Sequence, residues 1–225
     1  MNPGLWLSYS LQDFVMFGPQ VFLRLFIRIN QDLWPWPVLA VLVGLAVPAL
    51  LMNRRWWTGP LALLLVATAW ITSGYGFLVG YFGPINWPAA WLGWGFVAQG
   101  VLLGLLAVSG TVSRLGPQSA PMTVFWLLAV LGLPWQTVAE TGQWQALAVF
   151  ALAPGTTAAT GVLVAGLLQG PWRWVYLVIP MLWCLFSAAI FWVLQTWWLL
   201  LFPLVTLMLA ITGLWLSPRP AQSSG

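Results

Sequence analysis

From residue 35 to residue 216 the chain runs through seven apolar stretches, roughly 35–52, 61–82, 88–108, 121–138, 145–168, 175–194 and 197–216, and no charged side chain falls inside any of them. A helix needs about 20 apolar residues to cross the hydrocarbon of a bilayer. The breaks between the stretches are short and carry turn residues, such as Gly83-Pro84-Ile85-Asn86 and Gln169-Gly170-Pro171. No alternation of apolar and polar residues recurs at the strand length of a membrane barrel. The reading is an all-α polytopic transmembrane bundle of about seven spans over 35–216. An N-terminal amphipathic, interfacial segment (1–34) precedes it and a short C-terminal tail (217–225) follows. Composition agrees, with 61% hydrophobic and 4% charged residues, against about 25% charged in an ordinary soluble domain.

The same composition removes most chemistry. There is no His and no Lys, one Cys (Cys184), and three carboxylates, Asp13, Asp32 and Glu140. An imidazole metal site, a His-based triad, an internal disulfide and a lysine Schiff base are all excluded. No metal, catalytic residue or cofactor is expected, although an apolar pocket lined by Trp and Phe leaves a non-covalent pigment, quinone or lipid open. Seven arginines scattered between apolar runs do not make the clustered basic face that nucleic acid requires. The expected partners are the lipid bilayer and other membrane-protein subunits, with no nucleic acid.

With seven spans the loops alternate between two sides. Arg54, Arg55, Arg114, Arg173 and Arg219 fall on one side, and Arg24, Arg28 and all three acids on the other. Short cytoplasmic loops carry the excess of Lys and Arg, so the expectation is an inner or plasma membrane protein with its N-terminus outside and its C-terminus in the cytoplasm. Most of the 19 tryptophans lie near predicted span ends, where an amphipathic indole prefers the headgroup level. Trp70 and Trp183 are deep, and each needs a partner or a polar cavity for its N–H.

Ahead of the first span, Ser10-x-x-Asp13 has capping-box form, and Gly18-Pro19 then interrupts whatever helix it starts. Gln20, Arg24, Arg28 and Asp32 recur every fourth residue as one polar stripe, with Val21, Phe22, Leu25, Phe26 and Ile29 around it. That is the pattern of a helix lying in the membrane interface, or of one docked on the end of the bundle; the two are compatible.

Charge deep in a span usually marks an ion or proton pathway, and here there is none. The mid-depth polar residues are Thr72, Ser73, Gln99, Thr156, Thr157, Thr160, Ser187 and Thr206. They are densest in the fifth stretch, where Pro154-Gly155 predicts a helix break and Thr156 and Thr160 share a face. A broken helix at mid-depth is how many transporters build a site. Equally, hydroxyls and small residues serve close helix packing. Gln99, Thr156, Thr157 and Thr160 are therefore the candidate pathway residues. Gly76-x-x-x-Gly80 and Gly100-x-x-x-Gly104 permit close helix contact, and Pro48, Pro134, Pro180 and Pro203 predict kinks in four further spans.

Asp13-Phe14, Phe17-x-Pro19, Arg24-Leu25-Phe26-x-x-x-Asn30-x-x-x-Trp34-Pro35, Ile85-Asn86-Trp87, the Pro154–Gly161 run and Val178-Ile179-Pro180-Met181-Leu182-Trp183 resemble, in order and over nearly the whole chain, a family of small multi-pass bacterial membrane proteins known as a domain of unknown function. The resemblance implies a multi-pass fold and supplies no reaction. That family often carries Cys-Pro before the threonine pair; here the place is Pro154-Gly155, so no cysteine role carries over. Two functions follow as expectations, neither of them enzymatic. One is a passive or facilitative conduit for a neutral or hydrophobic solute. The alternative is a non-catalytic accessory or scaffold subunit of a larger membrane complex.

Overall fold

A computed structural model describes residues 17–53, 55–109, 120–165, 168 and 170–215, with the side chains of 213–215 set aside. The capping-box residues Ser10 and Asp13, and Arg54, Arg114 and Arg219 of the charge comparison, lie outside the described residues. Among the described residues every regular element is helical: α1 (Pro19–Asp32), α2 (Trp36–Met52), α3 (Thr58–Ile71, widening into a π-helix over Thr72–Phe82), α4 (Trp87–Val108), α5 (Ala120–Leu127, with a π turn at Leu128–Gly132), α6 (Trp135–Thr141), α7 (Pro154–Ala165), α8 (Trp172–Val193) and α9 (Leu201–Trp215).

Among the described residues, four helical stretches are long and apolar enough to cross a membrane: Thr58–Phe82, Trp87–Val108, Ala120–Thr141 and Trp172–Val193. A fifth candidate is the pair α1 and α2, bent by 95° at Leu33–Pro35, and Trp197–Thr212 is shorter. Seven unbroken helices are therefore not what forms. The main departure is the fifth apolar stretch, in which only the 12 residues of α7 are helical. At 1.5 Å per residue that is about 18 Å, short of a hydrocarbon core of about 30 Å.

The bundle closes around α7. Every residue of that helix except Gly155 is buried, and it touches α3, α5, α8 and α9. Its small residues let neighbours approach on all sides. At Gly161 the indole of Trp70 lies so close that a Cβ would sit 2.5 Å from Cζ2. Gly100 meets α3 in the same way, with Ala67 O 2.6 Å from the place of a Cβ, whereas Gly76 faces open space.

Helix α1 docks through an aromatic row. Phe26 stacks on Phe77 at 4.8 Å between centroids, and Phe22 meets Phe82 and Phe191 edge-on at 5.2 and 5.7 Å. Arg24, Arg28 and Asp32 face outward. Arg28 Nε lies 3.5 Å from Asp32 Oδ2, and the Tyr81 hydroxyl donates to the same oxygen at 2.9 Å. An exposed ion pair of this kind contributes little to stability.

Candidate functional site: the interrupted stretch and its polar supports

Residues 147–153, Leu-Ala-Val-Phe-Ala-Leu-Ala, are apolar yet not helical, and Leu147, Ala148, Val149, Phe150, Leu152 and Ala153 are at least partly buried. Away from water, each backbone N–H and C=O must find a partner inside the protein. Local backbone bonds supply part of this pairing, as from the Ala153 N–H to Val149 O at 2.7 Å and from the Ala148 N–H to Pro134 O at 3.4 Å, and neighbouring side chains supply much of the remainder. Asn30 Nδ2 of α1 donates to Gln145 O and Leu147 O, both at 2.8 Å. Thr137 of α6 donates to Ala146 O at 2.6 Å, and Thr156 of α7 donates to Ala148 O. The Thr72 hydroxyl of α3 makes its shortest contact, 2.9 Å, with Ala151 O. Thr157 accepts from the Ala151 N–H at 3.1 Å and donates to Ala153 O at 2.8 Å.

Ala151 is the strained point. Its φ is 67°, a left-handed conformation that costs an alanine about 1–2 kcal/mol. Thr72 holds its carbonyl and Thr157 its N–H, so both polar groups of the strained residue are tied to helices. Pro154 opens α7 rather than bending it, a position where a missing N–H removes nothing. The interruption lies before it, in 147–153, and Gly155 abuts Phe202 of α9.

The same device recurs inside two long helices. A proline has no N–H for the carbonyl four residues earlier. In α8, Pro180 leaves the Tyr176 carbonyl free, and the buried Gln99 amide of α4 donates to it. In α2, Pro48 leaves the Gly44 carbonyl free, and the Trp126 indole donates to it at 2.8 Å. Thr160 differs from its neighbours: its hydroxyl is 3.0 Å from Thr156 O and Thr157 O of its own helix. Ser187 in α8 likewise bonds back to Trp183 O at 2.7 Å.

Gln99, Thr156, Thr157 and Thr160 are all buried, and none lines either of two cavities among the described residues. One cavity, beneath α1 beside Pro154 and Gly155, has a volume of about 20 Å³ and nearly apolar walls. That is close to one water's worth of space. The other, of about 480 Å³, opens at the elbow of α1 and α2 beside Trp34 and Trp144. Three buried polar atoms near α3, Trp70 Nε1, Ser73 Oγ and Tyr176 Oη, make no hydrogen bond of good geometry among the described residues, although the Tyr176 hydroxyl lies beside Trp70 and Gln99.

Asn30 and Thr137 were not among the candidate residues read from the sequence. Asn30 had a signal: it follows Phe22 and Phe26 at a spacing of four, the one polar residue in the row that α1 buries. Thr137 had none. No protein-family model, curated protein or solved structure matches the chain, so the functional reading rests on this geometry.

Proposed function

We propose that this chain is a non-catalytic, membrane-embedded scaffold or accessory subunit that acts through protein and lipid contacts. One observation carries the reading: the mid-depth polar side chains that could line a pathway are hydrogen-bonded to backbone groups, with Gln99 on Tyr176 O, Thr156 on Ala148 O, Thr157 at Ala151 and Ala153, and Thr160 on its own helix. A conduit needs its polar groups turned toward a shared space. A scaffold needs them paired between helices. The outward faces are apolar, for example Trp174, Val178, Leu182 and Leu185 along α8, as lipid or a partner helix requires.

In this reading each of the seven apolar runs still crosses an inner or plasma membrane, the fifth as an irregular stretch followed by α7. The arginine-rich side with the C-terminus is cytoplasmic, and α1 lies in the outer interface at a right angle to α2. One observation favours the conduit as a second reading: strained backbone at Ala151 in an interrupted stretch is the kind of element from which transporters build sites. The deciding experiment is extraction of the full chain into nanodiscs with identification of every co-purifying chain. A stoichiometric foreign subunit is expected. A lone monomer or homo-oligomer that passes a neutral solute when reconstituted would overturn the scaffold reading in favour of the conduit.

A further inference from the structure

Helix α1 is a single layer between the bundle and its surroundings. Arg24 and Arg28 on its outer face are exposed, while Phe22 and Phe26 on its inner face are buried. Those two rings form one wall of the cavity beside Pro154 and Gly155. Phe77, Trp183, Phe191 and Phe202 supply the other rings, from the π-helical end of α3, from α8 and from α9. Closed, the cavity has about 20 Å³ of free volume, room for nothing larger than a water. Withdrawing α1 takes Phe22 and Phe26 out of the wall, so one motion both enlarges the chamber and opens it.

The attachment of α1 suits that motion. Its link to α2 is the three residues Leu33–Pro35, where the chain bends by 95°, and Trp34 and Pro35 are exposed. A few element-terminal residues of this kind can absorb the dihedral change of a hinge. Among the described residues the polar ties of α1 to the bundle lie near that hinge. Asn30 Nδ2 donates to Gln145 O and Leu147 O, and the Tyr81 hydroxyl donates to Asp32. Toward the other end the contacts are aromatic, with Phe17 and Phe22 edge-on to Phe82, and these separate without leaving a buried polar group unpaired.

The walls restrict what the opened chamber can take. None of the lining side chains is charged, and the Thr137 hydroxyl is already committed to Pro134 O and Ala146 O. Rings on several sides favour a small apolar guest that can make edge and face contacts with them. We propose that α1 is a lid, hinged at Leu33–Pro35 and latched by Asn30, over a chamber that takes a small uncharged aromatic molecule when the lid lifts. This role is independent of the scaffold reading.

The test uses the full chain in nanodiscs with Cys184→Ala, so that one introduced thiol reports at a time. Ala153→Cys places that thiol in the chamber wall and leaves the backbone bonds of residue 153 to Val149 and Thr157 in place. Ala159→Cys, as deeply buried but outside the wall, is the control. With methyl methanethiosulfonate as reagent and intact mass as readout, the thiol at 153 should react faster than the one at 159. Asn30→Ala removes the latch and should raise the rate at 153 about 30-fold, the factor of two neutral hydrogen bonds, with no rise at 159. Tyr81→Phe, which leaves no buried group unpaired, should raise it about three-fold and keeps the test decisive if Asn30→Ala does not fold. Toluene should slow labelling at 153 in either latch variant to a saturating plateau. Equal rates at 153 and 159, a rise at both sites, or a rate at 153 that ignores the latch variants would overturn the lid. Labelling at 153 that toluene leaves untouched would overturn the guest assigned to the chamber.

Discussion

Helix α8 and the stretch 145–165 are alike in hydropathy and differ in conformation. Both are apolar, free of acidic residues and interrupted by one proline, with Arg173 in the first turn of α8 the single charge; yet α8 is a continuous helix over Trp172–Val193, and the other, after a 3-10 turn at Trp144–Ala146, is irregular until Pro154. In α8 one carbonyl is freed by Pro180, and one donor, Gln99, meets it. Across 145–153 six carbonyls and one N–H are met by Asn30, Thr72, Thr137, Thr156 and Thr157. Hydrophobicity thus places a segment at membrane depth without deciding its backbone. The backbone leaves the helix only where neighbouring side chains can take over its hydrogen bonds.

The largest effect expected from breaking this contrast is at Gly161, where α7 meets Trp70. Gly161→Val must displace an indole that is fully buried and packed 4.4 Å from Phe96. A loss of about 3 kcal/mol is expected, at the upper end of overpacking costs, read as a fall in the denaturant midpoint in mixed micelles. Next comes Thr156→Val, which keeps the shape of the side chain and leaves Ala148 O buried without its donor; about 2 kcal/mol should be lost. The smallest effect belongs to Thr160→Val, four residues along the same helix and equally buried. Its hydroxyl only shares carbonyls of its own helix, so the change should stay within about 0.5 kcal/mol. Comparable losses for Thr156→Val and Thr160→Val would show that the hydroxyls are not distinguished by what they bond.

Most of the architecture was legible because periodic turns and unbroken apolar length are local signals. The stretches read as 61–82, 88–108 and 175–194 correspond to Thr58–Phe82, Trp87–Val108 and Trp172–Val193. The fifth stretch was not legible, since Leu147–Ala153 contains no turn residue and its conformation is set by side chains as distant in sequence as Asn30 and Thr72. Pro180 and Gln99 were each visible, one as a kink and the other as a pathway candidate. Their connection was not, because it depends on the rotation of α4 against α8. What the mid-depth polar residues face is a tertiary property: Gln99 and Thr156 meet carbonyls that lack a helical donor, whereas Thr160 and Ser187 share carbonyls of their own helices.

The central claim is that interior polar side chains substitute for missing backbone donors, and the Gln99–Pro180 pair tests it most directly. The double-mutant cycle takes Gln99→Leu, Pro180→Ala and both together, and Pro180→Ala restores an N–H to the Tyr176 carbonyl. Unfolding free energies in micelles should show Gln99→Leu costing about 2 kcal/mol when Pro180 is present and far less in the Pro180→Ala background, a coupling of about 1–2 kcal/mol. Equal cost in both backgrounds would contradict the account, because Gln99 would then be serving something other than the carbonyl that Pro180 frees.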